Sequence, residues 1–479
     1  MTGPSMVAAA RAPSSPFATW TAADIARAVR DGRARAVEVT RAALDDIERC
    51  NPLINAFTAL TRERAMAEAA DVDAVVARGE RPGPLAGVPY AVKNLFDIEG
   101  IATLAGSRIN RDHPPATADA SAVRRLRGAG AVLVGALNMD EYAYGFSTEN
   151  SHYGPTCNPH DLSRIAGGSS GGSAAAAAAG LVPFTLGTDT NGSIRVPASL
   201  CGLFGLKPTY GRLSRAGAWP FVGSLDHIGP LARSTADLAL AYDAMQGPDA
   251  TDPVCAQRPV EPASSELGHC IDGLRIAVAD GHFARPMADE ARAAVHRVAE
   301  ALGATRRVEV PEAGRGRAAA FVMTAIEGGL LHLPDLKVRP GDFDPLIRDR
   351  LLAGALAPAH WLSQAQRVRR YVRDRALSVF EQCDVLIAPC TPLSAPPIGT
   401  EWITLEGERM LARPNLGLFT QPVSFLGWPV AAVPVAVAPG TLPIGVQVVA
   451  APWREDLCLR VAAHLERIGV AAAPVATPR

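Results

Sequence analysis

The chain has 479 residues, is 48% hydrophobic and carries a formal net charge of −1. It can therefore bury a large core, and nothing in its charge balance suggests a nucleic-acid or anionic-membrane surface. Its eight cysteines form no CxxC pair and no zinc-knuckle spacing; they read as reduced core thiols of a cytoplasmic protein, with no metal or cofactor expected. No apolar run reaches the length of a membrane span. Residues 1–18, rich in Ala, Pro, Ser and Gly, lack the layout of a signal peptide. They read as a disordered lead, with Met6 as an alternative start. Only three of the 47 basic residues are lysine, namely Lys93, Lys207 and Lys337. A lysine kept in so arginine-rich a chain points to a task that a permanently charged guanidinium cannot do.

In chain order, Thr21 with Asp24 predicts a helix start. Val37, Thr40, Leu44 and Ile47 fall at helical spacing, with Pro52 expected to end that helix. A third helix is expected from about Thr61 to Arg78, stopping at Gly79. Residues 19–80 thus read as a helical N-terminal arm suited to packing or a subunit contact. Leu85–Val92 reads as a strand delivering Lys93, and βα alternation follows. The expected elements are helix Ser121–Gly128, strand Ala131–Gly135, a helix through Ala174–Ala179, strand Leu181–Leu186 and helix Ala236–Met245. A Pro- and Asp-rich linker, Gly247–Pro262, precedes strand Leu274–Ala279, helix Asp289–Leu302 and strand Arg307–Val310. A helical region at about 315–382, strand Asp384–Ala388, strand Ile444–Ala450 and a helix from Glu455 complete the chain. This alternation predicts an α/β fold: one large α/β/α domain over residues 81–473, its mixed sheet covered by helices on both faces.

The stretch Ile165-Ala166-Gly167-Gly168-Ser169-Ser170-Gly171-Gly172-Ser173 organises the rest. Its glycines allow the backbone to approach a small ligand, and the alanine helix after it has no bulk to keep neighbours away. A second polar turn, Gly187-Thr188-Asp189-Thr190-Asn191-Gly192-Ser193-Ile194-Arg195, follows the next strand. Gly167-Gly168-Ser169-Ser170-Gly171 formally matches G-x-S-x-G, but a nucleophile elbow needs a strand before the serine and a late histidine. His160–Arg164 does not read as a strand, and His332, His360 and His464 have no supporting motif. The lysine of a phosphate-binding loop is also missing. Taken together, Lys93, Ser169 and Ser193 make a different set: a neutral lysine to take a proton, a serine to relay it and a serine to attack. The N–H groups of Thr190, Asn191, Gly192 and Ser193 would hold an oxyanion.

These blocks, with Gly87-Val88-Pro89-Tyr90-Ala91-Val92-Lys93 and Ile194-Arg195-Val196-Pro197-Ala198, resemble the amidase signature family over roughly residues 20–470. The resemblance implies a Ser–cis-Ser–Lys triad of Ser193 as nucleophile, Ser169 as proton shuttle after a cis peptide bond, and Lys93 as ultimate base. It also implies an oxyanion hole at residues 190–193 and an acyl-enzyme. The family usually has glycine where Asn191 stands, so this side chain is expected to line or narrow the pocket. Further blocks, including Asn138-Met139-Asp140-Glu141-Tyr142-Ala143-Tyr144-Gly145-Phe146 and Thr420-Gln421-Pro422-Val423-Ser424-Phe425, resemble members that hydrolyse small carboxylated, urea-like compounds. Those members work with a small helical subunit related to the C subunit of a tRNA-dependent amidotransferase.

The expected activity is therefore hydrolysis of an amide or urea-type C–N bond in a small carboxylate-bearing substrate, with release of ammonia. The alternatives are the amidase component of a tRNA amidotransferase and a generic small-amide amidase. An oligomer with a small helical partner subunit is expected, without membrane or direct nucleic-acid contact. Asn191, Arg195, His332 and Gln421 are the candidate substrate ligands. Arg195 next to Asp189 reads first as an ion pair bracing the loop and, alternatively, as a ligand for the substrate carboxylate.

Overall fold

The computed structural model describes residues 13–435 and 440–476. Most of the expected disordered lead, with Met6, lies outside the described residues.

The chain folds around an 11-stranded sheet. Its strands are β1 (Phe57–Leu60), β2 (Pro89–Lys93), β3 (Val132–Leu137), β4 (Phe184–Thr188), β5 (Phe204–Lys207), β6 (Ile228–Ala232), β7 (Ile276–Asp280), β8 (Arg306–Glu309), β9 (Val385–Pro389), β10 (Val430–Val435) and β11 (Ile444–Ala450). Their spatial order is β1-β3-β2-β4-β6-β5-β10-β11-β9-β7-β8. Two parallel stretches, β3-β2-β4 and β9-β7-β8, flank an antiparallel centre. The sheet is therefore mixed, as the alternation predicts, and one hydrophobic core runs from Ala22 to Ala471.

The main helices are α1 (Ala22–Arg30), α2 (Ala36–Ile54), α3 (Arg62–Ala77), α4 (Ser121–Gly128), α5 (Gly171–Ala178), α6 (Arg195–Cys201), α7 (Thr235–Met245), α8 (Asp289–Ala301), α9 (Ala313–Leu331), α10 (Leu333–Val338), α11 (Pro345–Ala355), α12 (Ala359–Ala376), α13 (Gln421–Leu426) and α14 (Glu455–Arg467). Thr21 and Asp24 form the reciprocal cap expected of them at α1. α2 runs past Pro52 and ends at Asn55, which adopts a left-handed conformation. Proline in a last turn sacrifices one hydrogen bond without breaking the helix. The N-terminal arm is not purely helical, because β1 pairs with β3 at the edge of the sheet. The supposed linker after α7 is tied down: Arg125 donates to the carbonyls of Met245, Gly247 and Pro248. Arg215 pairs with the buried Asp252.

Three central strands, β5, β6 and β10, were not evident from sequence. β6 carries Gly229 and Pro230, and β10 carries Pro434, residues that ordinarily argue against a central strand. Gly229 is required where it stands, since a Cβ there would come within 2.0 Å of the Leu206 carbonyl oxygen.

α5 is buried over its whole length. Its alanines let it lie close to the sheet, and two hydrogen bonds of 2.9 Å, Ser173 Oγ to the Leu186 carbonyl and Thr185 Oγ1 to the Ser173 carbonyl, fasten it to β4. A Cβ on Gly172 would approach Ala56 and Asn138 backbone atoms to 2.6 Å. This fixes where the N-terminus of α5, and the serine loop before it, stand.

Candidate active site

β2 and β4 are parallel neighbours in register Val92 to Leu186. Lys93 and Thr188 therefore emerge together at the carboxyl ends of adjacent strands, the usual position of a site in an α/β sheet. Lys93 is wholly buried. Its Nζ donates to Ser169 Oγ at 2.7 Å and to Thr188 Oγ1 at 2.9 Å. Burial pulls the ammonium pKa down to about 7, against the opposing pull of Asp140, Asp226 and Asp189. Ser169 follows a cis peptide bond from Gly168. Behind it, a Cβ on Gly168 would lie 2.2 Å from an Asp140 carboxylate oxygen, so only glycine fits there.

The second loop is stitched to the first: the Ser170 N–H donates to the Ser193 carbonyl at 3.3 Å, and Ser170 Oγ and the Thr188 backbone bond each other. Gly192 has φ +140°, and a Cβ there would strike Thr420 Oγ1 at 2.1 Å. Thr420 Oγ1 in turn donates to the Asn191 carbonyl. On either side of the loop the N–H groups are engaged, Asp189 with the His227 carbonyl and Ile194 with Asp189 Oδ2. The N–H groups of Thr190, Asn191, Gly192 and Ser193 donate to no acceptor among the described residues. Four consecutive free donors beside a serine hydroxyl can stabilise an oxyanion.

Ser193 opens on a narrow cavity of about 20 Å³ whose polar lining is Tyr144, Thr190, Asn191, Thr324, Arg350, Arg413 and Gln421. Asn191 Nδ2 donates to Thr324 Oγ1 at 2.9 Å. Gln421 Oε1 accepts from Arg317 Nε at 2.7 Å. Both residues are thus in the cleft, as expected. A larger cavity of about 390 Å³, lined by Thr188, Asp226 and Trp219, shares Ala143, Thr190 and Phe221 with the first.

Two of the four expected substrate ligands are elsewhere. Arg195 opens α6 and is fully buried. Its Nε and NH2 grip the two oxygens of Asp189 at 2.9 Å, and its remaining donors go to Gln447 Oε1 and Ser424 Oγ. Burial pushes the Asp189 carboxyl up, but the charge and hydrogen bonds of Arg195, with Lys207 and His227, hold it below the usual carboxylate range. The pair braces the loop, and the carboxylate-ligand alternative for Arg195 fails because no face of it reaches the cleft. His332 is also buried, with its ring 3.8 Å from that of Tyr142, and burial lowers its pKa to about 4. It packs against Tyr142 and Phe343 and does not line the cleft.

The cations that do line the cleft are Arg350 and Arg413, which sequence reasoning did not single out. Arg413 NH2 donates to Asp140 Oδ1 at 3.0 Å, whereas its Nε and NH1 have no partner among the described residues. Arg350 lies 3.7 Å over the ring of Tyr144. Burial lowers its pKa from the ordinary arginine value.

Two short strands, Cys157–Asn158 and Asp161–Ile165, form a separate hairpin just before the serine loop. A strand does precede Ser169, contrary to the expectation from sequence, but it is outside the main sheet and does not make a nucleophile elbow. All eight cysteines are free; Cys157 is half-buried and Cys270 exposed, so not all are core thiols. Lys207 is buried and Lys337 exposed. No described helix is long and apolar enough to cross a membrane.

The amidase family model matches residues 38–459. The chain is 59% identical over 451 residues to AtzE, the 1-carboxybiuret hydrolase component of Pseudomonas sp. (strain ADP), covering 94% of this chain and 98% of that one. It is 38% identical over 475 residues to the A subunit of glutamyl-tRNA(Gln) amidotransferase from Roseiflexus sp. (strain RS-1), covering 94% and 96%. A solved structure described as a vestigial protein complex, bearing on the origins of an s-triazine catabolic enzyme, superposes with a TM-score of 0.93 at 58% identity, covering 95% of this chain and 99% of that one. With a family match over most of its length and a lysine–serine pair buried at the end of its sheet, the chain belongs to the amidase signature family of amide-hydrolysing enzymes.

Proposed function

We propose that this enzyme hydrolyses the terminal C–N bond of a small carboxylate-bearing, urea-like amide of the 1-carboxybiuret kind, releasing ammonia through an acyl-enzyme. The observation that carries this reading is the pair of cations, Arg350 and Arg413, in the same narrow cleft as Ser193. Two guanidinium groups in the cleft of Ser193 suit a short anion. The 59% relative acts, by its name, on 1-carboxybiuret.

In this mechanism neutral Lys93 takes a proton from Ser169 as Ser169 takes one from Ser193. Ser193 Oγ attacks the scissile carbonyl carbon, and the oxygen, now negative, is held by the N–H groups of residues 190–193. The intermediate collapses when the proton returns through Ser169 to the departing nitrogen, and ammonia leaves. Water then attacks the acyl-enzyme over the same relay, restoring Ser193 and the neutral lysine. Ammonia release from carboxybiuret, biuret, allophanate, malonamate, glutamine and aryl amides tests the reading. Carboxylated short substrates should lead; equal rates on aryl amides or glutamine would reduce it to a generic amidase or favour the amidotransferase alternative.

A small, acidic helical partner subunit belongs to the same proposal. Among the described residues, eight of the twelve exposed large hydrophobics fall between Leu330 and Leu377, and none falls in the N-terminal arm. Of the arginines there, Arg367, Arg370, Arg373 and Arg375 on α12 are exposed, against Asp349 and Asp374. An amphipathic acidic helix complements such a face. The expected subunit contact therefore moves from the N-terminal arm to α10–α12. Co-purification with a neighbouring small open reading frame, abolished by Leu356→Glu and Trp361→Glu, tests it.

A further inference from the structure

We propose that the Asn191 side chain reads an N–H of the substrate, one atom beyond the scissile carbonyl, and so selects ureido compounds over amides with a methylene there. This rests on the reading that Ser193 attacks in the cleft described above.

Asn191 is two residues before Ser193 in the chain and is 8% exposed. Its Nδ2 is committed to Thr324 Oγ1 on α9. That bond fixes the plane of the amide and leaves Oδ1, which is buried without a hydrogen-bond partner among the described residues. The other polar side chains of the cleft differ. Thr190 Oγ1 donates to Asp226 at 2.6 Å. Gln421 Oε1 already accepts from Arg317. Arg350 and Arg413 are donors, as are the free N–H groups of residues 190–193. Oδ1 of Asn191 is thus an unpartnered carbonyl acceptor on a side chain that lines the cleft, where, apart from the hydroxyls of Ser193 and Tyr144, which can donate or accept, the other unfilled groups are donors. Buried polar atoms are ordinarily satisfied, and an exception in a binding cleft marks a place for a ligand group.

The donors of the cleft can take a carbonyl oxygen and a carboxylate. The acceptor requires an N–H in addition. In a urea, biuret or carboxylated biuret, the atom joining the scissile carbonyl to the rest of the molecule is an N–H. In an ordinary carboxamide it is carbon. A site that offers a hydrogen-bond acceptor there penalises the analogue lacking the donor, because its own buried oxygen then stays unpaired.

Biuret and malonamide test this directly: they have the same length and charge and differ only by NH against CH2. Their affinities for the Ser193→Ala protein are measured by calorimetry, and their kcat/KM values with the active enzyme. Because intrinsic reactivity cancels, the readout is how far the biuret-to-malonamide ratio changes between wild type and variants. Asn191→Ala should lower it by about tenfold. Thr324→Val, which keeps the shape but frees the amide to turn, should lower it by a smaller factor, about threefold. A ratio unchanged in both variants overturns the proposal. Allophanate and malonamate repeat the NH-against-CH2 comparison with the carboxylate present. If carboxylates give no advantage but the NH preference and its loss persist, the charge reading fails and this inference stands. Hydrolysis that survives Ser193→Ala overturns both.

Discussion

The Nζ of Lys93 sits 2.7 Å from Ser169 Oγ and 2.9 Å from Thr188 Oγ1, in a pocket with no exposed surface. Burial holds its pKa at about 7. In the proposed mechanism the base is therefore switched on by deprotonation, and kcat/KM should rise with pH, about tenfold per unit below pH of about 6, and level off above about 8. Lys93→Arg should be inactive, since a guanidinium keeps its proton. A flat profile from pH 5 to 9 would remove Lys93 from the role of base.

The same burial has a stability consequence with a definite sign. An unfolded Lys93 returns to its ordinary value of 10.5, so between about 7 and 10.5 the unfolded chain binds the extra proton. The fold thus gains stability as pH rises through that window and carries a constant penalty below it. Lys93→Met should then be inactive yet more stable than wild type at pH 6, by on the order of a few kcal/mol. Urea denaturation at pH 6 and pH 9 measures it. A variant that is less stable at both pH values would show that the hydrogen bonds to Ser169 and Thr188 outweigh the cost of burying the amine.

Ser193→Ala should lose activity by about three orders of magnitude or more while keeping its denaturation midpoint, because the hydroxyl is removed from a cleft wall and not from the core. Full turnover by a folded variant would require another nucleophile.

How much of this was legible in the chain depends on locality. The strand into Lys93, the alanine helix and both serine loops carry their signals within a few residues, and those signals hold. β6 and β10 were hidden because Pro230 and Pro434 read as breakers, yet antiparallel neighbours accept them. Arg350 and Arg413 were hidden for another reason. Of 47 basic residues three are lysine, which leaves 44 arginines, and nothing local marks these two. They reach the cleft only because α9, α11 and the segment before α13 fold back over Ser193. Arg195 stands two residues after Ser193 in sequence, but as the first residue of α6 its side chain is buried against Asp189, the pairing that its sequence position suggests first.

That core position gives a separate prediction. Arg195 and Asp189 are both fully buried and bonded to each other twice. Arg195→Met would leave a buried carboxylate without its counter-charge, and such losses cost roughly 3–5 kcal/mol. The double variant Arg195→Met with Asp189→Leu should recover part of that stability, though not activity, since Ile194 N–H and Ser424 Oγ also depend on Asp189. A double variant no more stable than Arg195→Met would show that packing, and not charge, dominates at this position.

The cleft cations give the most specific prediction about substrate. Arg413 is held from behind by Asp140, which also accepts the N–H groups of Ser147 and Thr148 at 3.3 and 3.0 Å. Its NH2 is thus occupied, while Nε and NH1 remain for an anion. Arg350 is steadied over Tyr144, and its half-buried charge has no salt-bridge partner among the described residues. A charge kept in such a position is compensated when a carboxylate enters between the two guanidinium groups. Arg350→Gln and Arg413→Gln should each raise KM for a carboxylated substrate about 10- to 100-fold, the cost of one charge-assisted hydrogen bond. kcat should change less, because neither group touches the atoms that react. For neutral biuret the same variants should change KM by less than about threefold. Arg413→Gln has one further expected effect: it releases Asp140, which lies behind the Gly168–Ser169 loop, so its kcat should fall more than that of Arg350→Gln. Steady-state kinetics of the two variants on the acid and its neutral analogue separate these terms. If both variants lose the acid and the neutral compound to the same extent, the arginines shape the cleft without reading charge. The substrate carboxylate would then have to be bound by another group, with Arg317, behind Gln421, the next cation to test.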